Sequence, residues 1–328
     1  MGLRTYNTKS SFEDPYTGTG PLRVAEVTKY YGDRGISAGG ADPFVNVVGY
    51  INITQPGNAT DFGDMTAATG YGAGCAGGGG QAKASRGCYG GGQNPSTTNE
   101  IQYITIATLG NFTDFGDLTQ ARLELAAAAG GKADRGVWAG GSDGSNLTDR
   151  IDYVTIATTG HATDFGNMDA DVRRSGVLSS GYRMVICGGT AQSGSPNSNV
   201  IQYIEIDTAG NATDFGNLTE TKQEVGTGGN ATRGLIGGGD AGAASNVIEY
   251  ITIATPGNGT DFGDLSSGGR NALAACNNDA RVVFLGGLLS GSNTNTCDYV
   301  NIETPGNAVD FGDIQTSRRY VSNGISGD

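Results

Sequence analysis

Tyr250-Ile251-Thr252-Ile253-Ala254-Thr255-Pro256-Gly257-Asn258-Gly259-Thr260-Asp261-Phe262-Gly263-Asp264-Leu265 decides the fold, because close copies of it return through the whole chain. Asp-Phe-Gly begins at Asp61, Asp114, Asp164, Asp214, Asp261 and Asp310, in steps of 53, 50, 50, 47 and 49 residues. Eleven residues before each aspartate stands a tyrosine (Tyr50, Tyr103, Tyr153, Tyr203, Tyr250, Tyr299), and eight before it an isoleucine (Ile53, Ile106, Ile156, Ile206, Ile253, Ile302). A polar residue separates the two within each run, which is the period-two pattern of a strand. Four before the aspartate is always glycine, followed by asparagine or, once, by His161. Both residue types tolerate positive φ, so the strand is expected to reverse there and bring Asp-Phe-Gly back on a returning strand.

Upstream of each tyrosine an arginine precedes the second glycine of a Gly-Gly pair by six residues: Arg34, Arg86, Arg135, Arg183, Arg233 and Arg281. Short apolar strands such as Val137-Trp138-Ala139 lie between, and small-residue strands such as Leu125-Ala126-Ala127-Ala128 come before. Each unit therefore holds four short antiparallel strands. Four strands in about 50 residues, repeated six times, predict an all-β, six-bladed β-propeller spanning residues 21–328, in which radial closure protects the sheet edges. The tail Ile314 to Gly324 aligns with the first strand of a unit but has no unit after it. It is expected to complete blade 1 beside Arg34 to Gly40 and so close the ring, with Val24 to Tyr31 as the competing donor.

Composition supports a folded chain of unusual make-up. Of 328 residues 58 are glycine, about 18% against an ordinary ~7%, yet only 8 are proline and no three-residue period exists. Collagen is excluded. The net charge of −13 and the lack of a basic run argue against nucleic acid. No apolar stretch reaches the ~20 residues of a membrane span, and Met1 to Gly20 lacks the apolar core of a signal peptide. The five cysteines, Cys75, Cys88, Cys187, Cys276 and Cys297, form no Cys-x-x-Cys pair and read as buried free thiols, with a Cys75 to Cys88 bridge left open.

A hydrophobic strand ending in Gly-Gly, a loop, a tyrosine strand and an aromatic returning strand resemble the kelch repeat, over roughly residues 24 to 328 and with the period of that family. Phe62, Phe115, Phe165, Phe215, Phe262 and Phe311 stand where kelch motifs usually carry tryptophan. The near-identical copies are also similar to kelch-like proteins of tailed, notably marine, bacteriophages. That resemblance implies a non-enzymatic structural or decorating protein of a phage particle, in capsid or tail fibre, assembled in the host cytoplasm and able to attach to the host surface.

Chemistry is sparse. Six copies of Asp-Phe-Gly are not a kinase magnesium ligand, which needs one copy with its own loop and lysine strand. Instead each phenylalanine is expected to pack between blades, and each aspartate to accept hydrogen bonds from the recurrent arginine, as a ring of ion pairs, or from turn amides. His161 is the one histidine, too few for the copper centre of kelch-type galactose oxidases and a poor basis for a Ser-His-Asp triad. No catalytic, cofactor-binding or metal-binding residue is therefore assigned. Recurrent Asn-x-Thr sequences coincide with the Gly-Asn segment and read as structure rather than as glycan acceptors.

Partners are expected at the loops between Gly-Gly and tyrosine, which hold 9, 10, 11, 13, 10 and 11 residues while the Gly-Asn segment never changes length. Thr190 to Asn199, Ser142 to Asp149 and Ser290 to Asn295 mark that face, for a host glycan or surface protein. Met1 to Gly20, with Tyr6, Phe12 and Tyr16, lies outside the repeat and reads as an arm, either disordered or docked on other virion proteins. The alternative reading is a lectin-like, carbohydrate-binding propeller, secreted or on a cell surface.

Overall fold

The computed structural model describes residues 32–77, 84–131, 134–191, 196–322 and 324–327. The arm of residues 1–20 and the competing donor at Val24 to Tyr31 lie outside them. Among the described residues there is no helix, and six four-stranded antiparallel sheets carry the architecture. Sheet 3 serves as the pattern: Ala126–Gly130, Arg135–Ala139, Arg150–Thr155 and Thr163–Asn167, paired in that order. Sheets 2, 4, 5 and 6 repeat it within residues 73–117, 176–217, 226–264 and 274–313. Sheet 1 takes three strands from residues 34–64 and its first from Ser326–Gly327, which pairs with Gly35 and Arg34. Three further bonds extend that junction: Ile36 N donates to Ile325 O (2.9 Å), Ser322 N to Ala38 O (3.0 Å) and Ala41 N to Arg319 O (2.9 Å).

First strands of consecutive sheets touch from sheet 2 through sheet 6; sheet 6 then meets Arg34–Ala38 of sheet 1, and Ser326–Gly327 meets sheet 2. The arrangement is propeller-like. Six apolar clusters fill the spaces between neighbouring sheets. In one of them Phe165 and Val137 of sheet 3 pack with Met184, Ile186 and Ile206 of sheet 4; in another Ile51 and Ile53 of sheet 1 pack with Cys276 and Val283 of sheet 6. All six repeat isoleucines are fully buried. The five cysteines are buried free thiols, so Cys75 and Cys88, though cross-strand partners, are unbridged.

The hairpin reverses earlier than its composition suggests. In each repeat a turn closes right after the tyrosine strand, as where Thr158 N donates to Thr155 O (3.1 Å) and Thr208 N to Glu205 O (3.0 Å). Of the six turn glycines only Gly306 has positive φ. The Gly-Asn segment instead lies along the last strand of the preceding sheet: Gly160 N donates to Phe115 O (2.8 Å) and Ala162 N to Asp117 O (2.7 Å). The asparagine Oδ1 then accepts the amide of the residue after Asp-Phe-Gly, at 3.0–3.1 Å in five of the six sheet junctions. At the sixth, exposed His161 places Nδ1 3.2 Å from Asp117 Oδ2. Fixed length thus has a physical cause, since a residue more or less would break the bonds between sheets.

Asp-Phe-Gly is a β-bulge. Gln102 faces Asp114 and Ile101 faces Gly116, which leaves Phe115 as the extra residue, and the same shift recurs in every sheet. The bulge buries the phenylalanine edge-on against its tyrosine, with ring centroids 5.7–6.2 Å apart. Gly116 has φ of 144°, and a Cβ there would stand 2.4 Å from the Gly160 carbonyl of the next repeat, so only glycine fits.

The expected ring of arginine–aspartate ion pairs does not form. Asp61, Asp114, Asp164, Asp214, Asp261 and Asp310 are exposed, because strand alternation turns each outward beside an inward phenylalanine. Each recurrent arginine instead lies over its sheet's tyrosine ring, 4.0–4.9 Å from the centroid. Its Nη1 donates to the repeat isoleucine carbonyl of the next sheet at 2.6–3.3 Å, ending with Arg281 of sheet 6 on Ile53 of sheet 1.

Candidate functional site

Antiparallel order puts the loops after Gly-Gly and the segments that link one sheet to the next on one face, and the Gly-Asn segments on the other. On the first face Asn199, Asp149 and Asn295 occupy one repeated position, four residues before the tyrosine. Their carbonyls accept the amides of Leu218, Met168 and Ile314 at 2.7–2.8 Å, which pins the loop to the start of the linking segment. Thr190 is buried and bridges to Arg173 and Asn197. The loop 142–147 and the region around Ala191 meet across a cleft lined by Asn146, Asp171 and Arg173. Asp143 at its rim accepts the Asn146 and Ser145 amides (2.7 and 2.8 Å), and those bonds hold its carboxyl below the usual range. Residues 290–295 stand apart from this cleft.

The linking segments also carry a buried layer of polar pairs. Arg122 meets Asp152 at 2.7 Å, Lys222 meets Glu249 at 2.6 Å and Arg270 meets Asp298 at 2.5 Å, all six side chains fully buried. Burial draws Arg122 and Arg270 below their ordinary value. Where the linking residue is uncharged, Thr69 or Val172, the following sheet carries Gln102 or Gln202 in place of the acid.

Two residues further along, the linking segments converge on the axis. Tyr71, Glu124, Arg174, Glu224, Ala272 and Tyr320 follow their Asp-Phe-Gly aspartate by ten residues, or by eleven for Ala272. All six have left-handed backbone, with φ of 51–62°. Backbone bonds join neighbours: Glu124 N to Tyr71 O (2.6 Å), Arg174 N to Glu124 O (2.9 Å), Glu224 N to Arg174 O (2.9 Å) and Tyr320 N to Ala272 O (3.0 Å). Together they line one cavity as a collar.

The side chains of the collar are linked as well. Arg174 spans the two carboxylates, 2.5 Å from Glu124 and 2.8 Å from Glu224. Arg173 adds a second contact to Glu124 at 2.9 Å, and the Tyr320 hydroxyl donates to Glu224. The Tyr71 and Tyr320 rings lie 4.4 Å apart, with Phe44 edge-on to Tyr71 at 5.9 Å. Burial raises the Glu224 carboxyl and, more strongly, the Tyr320 phenol, the latter helped by the Glu224 charge. Beneath the rim lies a cavity of about 70 Å³ with an apolar floor that includes Val177, Val225, Leu273 and Val321.

Sequence reasoning placed recognition on this face but passed over the collar. The signal was there: at a constant offset from Asp-Phe-Gly, in repeats otherwise nearly identical, the residue is Tyr, Glu, Arg, Glu, Ala and Tyr. Among the described residues no group of three or more His, Cys, Asp or Glu is placed to hold a metal. No protein-family model matches the chain, and no curated protein is similar to it in sequence.

Proposed function

We propose that this chain is a closed, six-bladed propeller of the kelch type that serves, without catalysis, as a structural or decorating protein of a phage particle. Its face of variable loops would be turned to the host surface. Six like sheets, each bonded to the next and with the first built from both ends of the described chain, support the ring. The contrast between the two faces carries the functional reading. On one, the Gly-Asn segment and the bulge glycine are tied into a junction between sheets; on the other, loop length and the collar residue change from repeat to repeat on a constant frame. A frame that holds one face fixed while the other diversifies suits recognition better than chemistry.

Mass spectrometry of purified particles, paired with adsorption assays in the presence of antibody raised against residues 290–295, tests this. The expected result is a fixed copy number per particle and blocked adsorption. Absence of the chain from particles would overturn the role and favour a carbohydrate-binding propeller of a cell surface.

A further inference from the structure

Left-handed backbone is costly for any residue with a Cβ. Elsewhere the repeat meets that demand mostly with glycine: both members of every Gly-Gly pair and the glycine of every Asp-Phe-Gly have positive φ, and the other described non-glycine cases, Asp42, Asp134 and Ser290, recur in no second repeat. The collar has the same demand at six places, in a chain with 58 glycines, and none of the six is glycine. Side chains are kept there against the strain, so the side chains have a use.

Their chemistry narrows it. The charges of Glu124, Arg174 and Glu224 are already paired with one another, so no bare charge is left to draw an ion into the mouth. What the rim still offers is aromatic surface, from Tyr71, Tyr320 and the exposed edge of Phe44, beside carboxylate oxygens and guanidinium N–H groups. Alternating acceptors and donors next to aromatic rings suit a neutral polyhydroxylated ligand. Ala272, the smallest of the six, is buried and lines the same cavity as Leu273 and Val321. The cavity of about 70 Å³ is roughly half the ~150 Å³ of an apolar cavity that takes up benzene, too small for a sugar ring and large enough for a small group ending in a methyl.

We infer that the collar binds a neutral N-acetylated saccharide. The sugar ring rests on Tyr71 and Tyr320, its hydroxyls bond to Glu124, Arg174 and Glu224, and the acetamido methyl enters the cavity beside Ala272. The inference gives a ligand class to the recognition face and rests on the preceding section in that respect only.

Calorimetric titration of the full chain with a β-1,4-linked N-acetylglucosamine trimer, against the glucose trimer of the same linkage, reads it directly. The N-acetylated trimer is expected to bind at least about tenfold more tightly, the scale on which one small apolar group is discriminated. Ala272→Tyr installs the residue that holds the same left-handed conformation at positions 71 and 320 and fills space in the cavity. It is expected to weaken binding by about tenfold or more in a variant that still melts cooperatively. Tyr71→Leu, which removes the ring and keeps an apolar side chain, gives the second reading and is expected to weaken both trimers together. Equal affinity for the two trimers, binding of neither, or an unaltered affinity in a folded Ala272→Tyr variant would overturn the assignment. The titration uses isolated protein, so its failure leaves the particle role standing, and absence from particles leaves the saccharide site standing.

Discussion

The segment that links sheet 5 to sheet 6 and the tail that links sheet 6 to sheet 1 place a buried arginine at the same point and satisfy it differently. Arg270 donates to the carbonyls of Gly286 (3.1 Å) and Thr296 (2.7 Å) and meets Asp298 at 2.5 Å. Arg318 donates to Val47 O (3.0 Å) and to the Ser37 carbonyl (3.4 Å) and hydroxyl (3.1 Å), with no carboxylate. Gly49 stands where the other sheet has Asp298, and the Gln315 amide oxygen lies 2.7 Å from where a Gly49 Cβ would be. Burial without a counter-charge pushes Arg318 down to about 10. The junction between the two ends of the chain thus shares the geometry of an internal one but lacks its electrostatic partner, and its first strand has two residues where sheet 6 has four. A repeated scaffold tolerates such a difference because carbonyl dipoles and a hydroxyl hold the guanidinium in place, at a cost the internal junction avoids.

Removing residues 318–328 takes away the shorter of the two first strands altogether. Buried Val321 and Ile325 go with the strand, a loss of about 3–6 kcal/mol in apolar burial alone. The exposed edge of Arg34–Ala38 should then recruit other copies. Size-exclusion chromatography is expected to show aggregation and melting a drop of about 4–9 °C, on the order set by such losses. A monomer with unchanged melting would count against the junction.

Asp298→Ala attacks the internal partner instead. It strands Arg270 as a buried, uncompensated charge and should cost about 3–5 kcal/mol by urea denaturation. If the loss is below about 1 kcal/mol, the carbonyls suffice and the contrast with Arg318 has no energetic content.

The comparison sharpens in the opposite direction with Gly49→Asp combined with Gln315→Thr, which copies the Arg122, Asp152 and Thr119 arrangement of sheet 3, where the Thr119 hydroxyl donates to Asp152 at 2.7 Å. Gly49 does not have positive φ, and replacing Gln315 removes the 2.7 Å contact, which leaves the new Cβ 3.2 Å from Ser37 Oγ. Supplying the missing carboxylate should stabilise the fold by about 1–2 kcal/mol, the worth of a hydrogen bond to a charged group. A destabilised double variant would show that Arg318 is better served by neutral dipoles.

Much of this was legible in the sequence. The constant Tyr, Ile and Asp-Phe-Gly offsets fix four strands per unit, because alternation and spacing are properties of the backbone itself. Gly257-Asn258 looks like a turn by composition, yet the reversal is made just before it at Thr252 to Thr255 by a bond that any residue types can form. Six arginines and six aspartates in register suggest pairing, but sequence does not say that Asp164 points away from Arg135 once the bulge at Phe165 sets the facing. The collar was hidden for a different reason. Strain at Tyr71 or Glu224 is a property of the backbone, and nothing in those residue types signals it; only their variability at a constant offset does. The buried pairs are readable in hindsight from complementarity, since Arg122, Lys222 and Arg270 each precede an acid one residue before the next tyrosine.

Ser326–Gly327 completes sheet 1, and in the proposed ring this strand joins sheet 6 to sheet 1. Hydrogen exchange at the Ile36 amide tests it most directly, because that amide donates to Ile325 O across the junction. Slow exchange is expected in the full chain and fast exchange once residues 318–328 are removed. Fast exchange in the full chain, or protection that survives the truncation, would contradict it.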